Sequence, residues 1–224
     1  MSATARTPRA LVVRGGWEGH EPKETSDLVI GWLREDGFEV AVEETLAVYA
    51  DSTTMAEVDL VVQCWTMGHL EPAELAGLLQ AVASGAGLAG WHGGLCDAFR
   101  DAPDYQFMTG GQWVAHPGGS DREYLVEIAP GREADPIVAG LSAFSICSEQ
   151  YYLHVDPSNE VLAVTRFVDP PGAAWVDGCV MPVVWQRRYG EGRVFYSSLG
   201  HVAADFAVPE VATILRRGLI WAAR

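Results

Sequence analysis

Six histidines, at positions 20, 69, 92, 116, 154 and 201, are the residues of this 224-residue chain best suited to chemistry. Neutral imidazole binds first-row metals and exchanges protons near pH 7. His92 is the sharpest case. The segment GWHGG, residues 90–94, has the glycine spacing of a nucleophile elbow, a tight strand-to-helix turn that lifts one side chain over a sheet edge. Here the lifted group is an imidazole, which suits a metal ligand or a proton carrier better than a nucleophile. The plainer alternative is a solvent-facing turn histidine. His20 lies in GGWEGHEP, residues 15–22, just before a predicted helix. The first N–H groups of that helix disfavour a protonated ring and would keep His20 neutral. The loop lacks GxGxxG, so neither NAD nor a flavin is expected.

Three more segments add to the set. His116 follows GGQWVA and precedes Pro-Gly-Gly, either an ordinary turn or, with Trp113, part of a wall on which a sugar ring stacks. Glu149, in SEQYY, sets a carboxylate beside two tyrosines and reads as a base, a ligand or a simple hydrogen-bond acceptor. His201 closes SSLGH, directly after a predicted strand. His69 and His154 are left unassigned.

These side chains need a frame. Apolar runs at residues 10–14, 58–64 and 87–91, each stopped by turn residues, read as buried parallel strands, with an alternating strand at 38–42. Pro22 opens a helix with Val29, Trp32 and Leu33 on one face; Pro72 opens another with Leu75, Leu78, Leu79 and Val82 at helical spacing, ended by Gly85. Strand and helix alternate, which predicts an α/β fold: an open, mainly parallel sheet with helices on both faces, flavodoxin-like in class. Ligands of such sheets bind at the carboxyl ends of the strands, where most of the histidines fall. Further strands are expected at 124–128, 161–165, 181–185 and 194–196, and a last helix from about Pro209. No repeat or linker divides the chain, so residues 1–224 are read as one domain.

Composition removes several function classes. A net charge of -15, with Lys23 the only lysine and no basic stripe, gives no nucleic-acid or anionic-membrane surface. A small carbohydrate-sized molecule fits better. The four cysteines are scattered without a CxxC pair, so reduced, buried thiols are the default. The apolar stretch behind the first ten residues is too short for a signal peptide and no run spans a membrane, which predicts a cytoplasmic protein.

GWHGG (90–94), GGQWVAHP (110–117), SEQYY (148–152) and PVVWQRRYGEGRVFYSSLGH (182–201), with the terminal helix through GLIWA, resemble the ThuA-like (trehalose utilisation) family over nearly the whole chain. The resemblance implies a class I glutamine amidotransferase-like fold and a place in sugar catabolism, by association with disaccharide oxidation to 3-keto sugars. It also implies shared positions at His20, His92, His116, Glu149 and His201. The wider superfamily carries a cysteine at the elbow; this chain has His92 there, and Cys96 four residues later.

Three functional readings follow. The first is an enzyme that abstracts a proton beside the carbonyl of a keto-sugar or glycoside, with His20, His92, His116 and His201 holding Zn²⁺ or Mn²⁺ and His92, Glu149 and His116 moving protons. It requires these side chains to converge within a few ångströms. The second is a non-catalytic sugar-binding or regulatory module, with Trp17, Trp91, Trp113 and Tyr151 as stacking surfaces. The third is a cysteine-dependent hydrolase acting through Cys64 or Cys96. A homodimer is the commonest assembly for such a chain.

Overall fold

The computed structural model describes residues 6–224; residues 1–5, part of the stretch read as too short for a signal peptide, lie outside it. In chain order the elements are β1 (Arg9–Gly16), α1 (Pro22–Glu35), β2 (Glu39–Glu43), α2 (Ser52–Glu57), β3 (Leu60–Thr66), α3 (Pro72–Ala83), β4 (Gly87–Trp91), α4 (Gly93–Cys96), α5 (Pro103–Thr109), β5 (Gly111–Ala115), β6 (Arg122–Ile128), β7 (Phe144–Ser148), β8 (Tyr152–Val155), β9 (Glu160–Arg166), β10 (Val180–Tyr189), β11 (Gly192–Ser197) and α6 (Pro209–Ala222). Short 3-10 turns fill the loops, among them Glu18–His20 and Ala203–Ala207.

Nine strands form one sheet in the order β2-β1-β3-β4-β11-β10-β9-β6-β7. The pairings from β2 to β11 are parallel. Those from β11 to β7 are antiparallel. The expected α/β architecture therefore holds, with an antiparallel limb that strand-helix alternation did not foretell. β5 and β8 pair separately as a two-stranded ribbon.

Each central strand is apolar on both sides because each face is covered. Val12, Val62, Ala89 and Phe195 pack with Val29 and Leu33 of α1 and Val211, Ile214 and Leu215 of α6. Their neighbours Leu11, Val13, Val61, Leu88 and Val194 face the other way, onto Met55, Leu78, Val82 and Tyr105. That alternation is the period of two expected of extended chain. α3 begins where Pro72 needs no N–H partner, and Glu71 and Glu74 close a capping box around its first turn. No helix among the described residues is long and apolar enough to cross a membrane.

Candidate active site

Four adjacent parallel strands each deliver a side chain beyond their carboxyl ends. β1 leads into the turn carrying His20, β3 ends on Thr66, β4 runs into His92, and β11 is followed by the loop carrying His201. The remaining groups arrive from outside the parallel half. Glu149 follows β7 at the far edge of the sheet, and His116 follows β5. Hydrogen bonds hold the long excursion in place: Ser148 Oγ donates to Asp205 at 2.6 Å, and Tyr124 donates to the Glu149 carbonyl at 3.2 Å. Asp205 Oδ2 also accepts the His201 backbone N–H at 2.9 Å, tying the two loops together.

The elbow is present. His92 has φ 46° and ψ -135°, a conformation that side chains rarely adopt. Its glycines are there for space. A Cβ on Gly90 would stand 2.6 Å from the Gln63 carbonyl, and one on Gly94 3.0 Å from Cys64 Cα. Gln63, fully buried, braces the turn from below through Gly94 O, Tyr105 and Tyr49. The Tyr196 hydroxyl donates to the His92 carbonyl at 3.1 Å.

One ligand atom from each of His20, His92, Glu149 and His201 lies within 4.8 Å of all the others. Glu149 is the hub. Its Oε2 is 3.1 Å from His92 Nε2 and 4.0 Å from His20 Nε2; its Oε1 is 3.5 Å from His201 Nε2 and 3.7 Å from His116 Nδ1. Three of the four are buried and His201 nearly so.

The ring orientations carry chemical meaning. His92 Nδ1 is 2.8 Å from the Ser198 carbonyl, which can only accept, so Nδ1 holds the proton. His92 Nε2 then faces a carboxylate oxygen, and a second proton or a cation must stand between them. His20 Nδ1 is bonded to the Thr66 hydroxyl at 2.8 Å, and donation from Nδ1 leaves Nε2 bare toward Glu149. Burial, then the neighbouring His92, lowers the His20 pKa to about 3, so its ring is neutral. Neutrality was expected from the helix terminus; burial and the neighbouring His92 are what lower the pKa. Burial, with His92 next, also lowers His201. For Glu149 burial acts upward, but the hydrogen bond from His92 and the nearby imidazoles more than offset it and hold the carboxyl at about 2.

His116 stands apart from the others. It is outside the mutually close set, whose fourth member beside His20, His92 and His201 is Glu149, whereas the sequence reading grouped His116 with those three. Its Nδ1 is enclosed and without a hydrogen-bond partner, while its side chain as a whole is 36% exposed.

The aromatic expectations divide. Trp91 is not a stacking surface: it is 2% exposed and lies edge-on to Phe206 within the α1/α6 layer, because its side chain points to the opposite face from His92's neighbours. Tyr151 is 3% exposed with the His92 ring against it at 3.9 Å, so no sugar can stack on it. Trp113 is half-buried with the Arg100 guanidinium 4.7 Å from its ring centre. Trp17 remains open, 47% exposed, its ring edge-on to His20 at 4.7 Å. His69 pairs with exposed Asp101, and His154 is exposed on β8; neither joins the cluster.

Cys64 and Cys96 are fully enclosed, and burial pushes the Cys64 thiol up to about 12 and Cys96 well above its ordinary value. Neither has the thiolate character of a nucleophile. Thr66 and Asp205 were missed by the sequence reading. Thr66 had one signal, its place at the carboxyl end of a buried strand; Asp205 had none.

The family model ThuA, described as trehalose utilisation, matches residues 9–222. No curated protein sequence matches the chain. Among solved structures, a ThuA-like protein from Bacteroides uniformis superposes with a TM-score of 0.79 at 18% identity, covering 99% of this chain and 94% of that one. A ThuA-like protein from Parabacteroides merdae gives 0.73 at 18% identity, with 97% and 90% covered. A cytoplasmic protein from Salmonella typhimurium gives 0.67 at 14% identity, with 96% and 100% covered.

Proposed function

The chain belongs to the ThuA (trehalose utilisation) family, and on that premise we propose that it is an enzyme that removes a proton beside the carbonyl of a 3-keto glycoside and expels the anomeric substituent. The observation that carries this reading is the convergence of three imidazoles and one carboxylate, on loops from distant parts of the chain, to within 4.8 Å.

The donor set fits a divalent cation. Zinc takes nitrogen and oxygen ligands at about 2.0–2.2 Å, which places donors around one ion roughly 3–4 Å apart. From Glu149 Oε2 the His92 and His20 Nε2 atoms stand 3.1 and 4.0 Å away, and from Oε1 the His201 Nε2 atom 3.5 Å, distances in that range. Two of the rings are held at Nδ1, His92 by donation to the Ser198 carbonyl and His20 by its hydrogen bond with the Thr66 hydroxyl, the arrangement metal-bound histidines use. His20, His92, Glu149 and His201 would hold Zn²⁺ or Mn²⁺, and the ion would supply Lewis acidity toward a substrate oxygen.

The chain's own residues do the rest. A 3-keto group acidifies the C2–H bond, and a base must take that proton. His116 is the candidate: its enclosed Nδ1 lies 3.7 Å from Glu149, and its side chain is 36% exposed, which leaves part of the ring for substrate. Trp17 offers an apolar face at the rim for the sugar ring. A small neutral carbohydrate accords with the charge of -15, which repels polyanions.

The test is elemental analysis of wild type and His92→Ala, paired with turnover of 3-keto glycosides followed by enone absorbance. Near-stoichiometric zinc or manganese that His92→Ala loses, together with turnover by wild type, supports the reading. Wild type that binds sugar yet neither retains a metal on reconstitution nor turns over a keto-glycoside would leave a sugar-binding module instead.

A further inference from the structure

Five tyrosines are buried, and four of them spend their hydroxyls on the protein. Tyr49 donates to Gln63, Tyr105 to the Leu95 carbonyl, Tyr124 to the Glu149 carbonyl and Tyr196 to the His92 carbonyl, at 3.0–3.2 Å. Tyr151, 3% exposed, makes no such bond among the described residues. Its oxygen is not among the enclosed side-chain atoms that lack a partner, so the tip of this otherwise buried ring meets solvent.

The ring is fixed by His92 at 3.9 Å, with Trp113 and His116 at 6.2 and 6.4 Å. Only the hydroxyl is left to act. It stands close over the bare backbone of Gly93: a Cβ there would be 2.4 Å from His20 Cε1 and 3.1 Å from Tyr151 Oη. The hydroxyl and a cluster imidazole thus close on the same glycine of the elbow.

We propose that Tyr151 is a catalytic residue whose hydroxyl hydrogen-bonds the departing glycosidic oxygen and gives it a proton as the C1–O bond breaks, a role that rests on the keto-glycoside reading above. The C2 proton passes to His116 and its electron pair becomes the C1=C2 double bond. The C1–O pair leaves with the aglycone oxygen, which takes the Tyr151 proton and departs as an alcohol. The phenolate recovers a proton from solvent as the His116 imidazolium releases one, so no oxidant or reductant enters.

Tyr151→Phe keeps the ring against His92 and removes only the hydroxyl. The probes are methyl 3-keto-glucoside, whose alkoxide needs a proton to leave, and p-nitrophenyl 3-keto-glucoside, whose phenolate does not. Positioned acid catalysis contributes about 10²–10⁴-fold. The expected result is a kcat loss of that size on the methyl substrate, a loss of tenfold or less on the p-nitrophenyl substrate, and unchanged zinc content. Equal losses on both substrates, no loss on either, or loss of bound zinc would overturn the role while the keto-glycoside reading stands. Wild type that turns over neither substrate would remove that reading and Tyr151's role with it.

Discussion

Gly93→Ala is the substitution whose consequence can be worked most directly from the geometry. Gly93 opens the short helix α4, and its φ is not in the left-handed region, so alanine suits the backbone. In a helix the change by itself would stabilise by up to about 1 kcal/mol. The new Cβ, however, would stand 2.4 Å from His20 Cε1 and 2.5 Å from its Nδ1. Carbon contacts are comfortable from about 3.5 Å, so the ring must retreat by about 1 Å. It has little room: Trp17 lies against it at 4.7 Å, His201 at 5.4 Å, and Thr66 holds Nδ1 at 2.8 Å. A ligand site tolerates misplacement of about 0.5 Å. Loss of a partner that merely orients a ligand weakens metal binding by about 10–100-fold, about 1.4–2.8 kcal/mol, and displacing the ligand itself should cost at least as much. The measurement is a zinc titration against a competing chelator on wild type, Gly93→Ala and a control, Gly31→Ala. Gly31 is exposed in α1 with nothing within 4 Å of its missing Cβ. The control should keep wild-type affinity and melt slightly higher. Gly93→Ala should stay folded and bind zinc at least tenfold more weakly. Wild-type affinity in Gly93→Ala would refute the claim that this glycine makes room for a ligand.

Three further outcomes follow from the same packing. Thr66→Val removes the His20 Nδ1 partner at constant shape and should weaken zinc by about 10–100-fold, with Thr66→Ser restoring most of it; equal affinity in all three proteins would rule out an orienting role. Asp59 accepts from Arg6, Arg224 and the Arg9 N–H; burial acts upward on its carboxyl, but these partners outweigh it and the pKa falls below the ordinary value. Its stabilisation is therefore complete above the unfolded value of about 3.9 and fades as pH falls through the lower folded value. Asp59→Asn should cost about 1–3 kcal/mol at pH 7, and its urea stability should converge on wild type in acid; a constant difference down to pH 2 would contradict the linkage. Alkylation of the native protein with N-ethylmaleimide should modify exposed Cys147 and spare Cys64 and Cys96, leaving turnover intact. Inactivation that tracks modification of Cys96 would instead revive the cysteine-hydrolase reading.

Much of the parallel half was legible because its signals are local. Apolar runs at residues 10–14, 58–64 and 87–91 became β1, β3 and β4, and Pro22, Pro72 and Pro209 each open a helix. GWHGG announced the elbow, since the turn's steric demand is met by the glycines flanking His92. Residue type and strand order sufficed for His20, His92 and His201 because parallel strands put their carboxyl ends on one edge. The antiparallel limb was visible except for one strand: strands were expected near 124–128, 161–165, 181–185 and 194–196, but not β7, whose five residues alternate between buried and exposed without a distinctive run.

What only the tertiary structure decided depends on approach across long separations. Glu149 follows the edge strand β7, yet it is the hub of four imidazoles. Nothing local in SEQYY encodes that distance; it is set by how the limb folds back and by Asp205 joining Ser148 to His201. The same holds for the aromatics. Trp91 and Trp17 are alike as residue types, but strand alternation turns Trp91 into the core while Trp17, on a loop, stays at the rim. Sequence by itself determined that His20, His92 and His201 gather at the carboxyl edge of the sheet. Which other groups join them and which are core was left to tertiary packing, because burial, partner atoms and ring orientation are properties of groups brought together from distant parts of the chain.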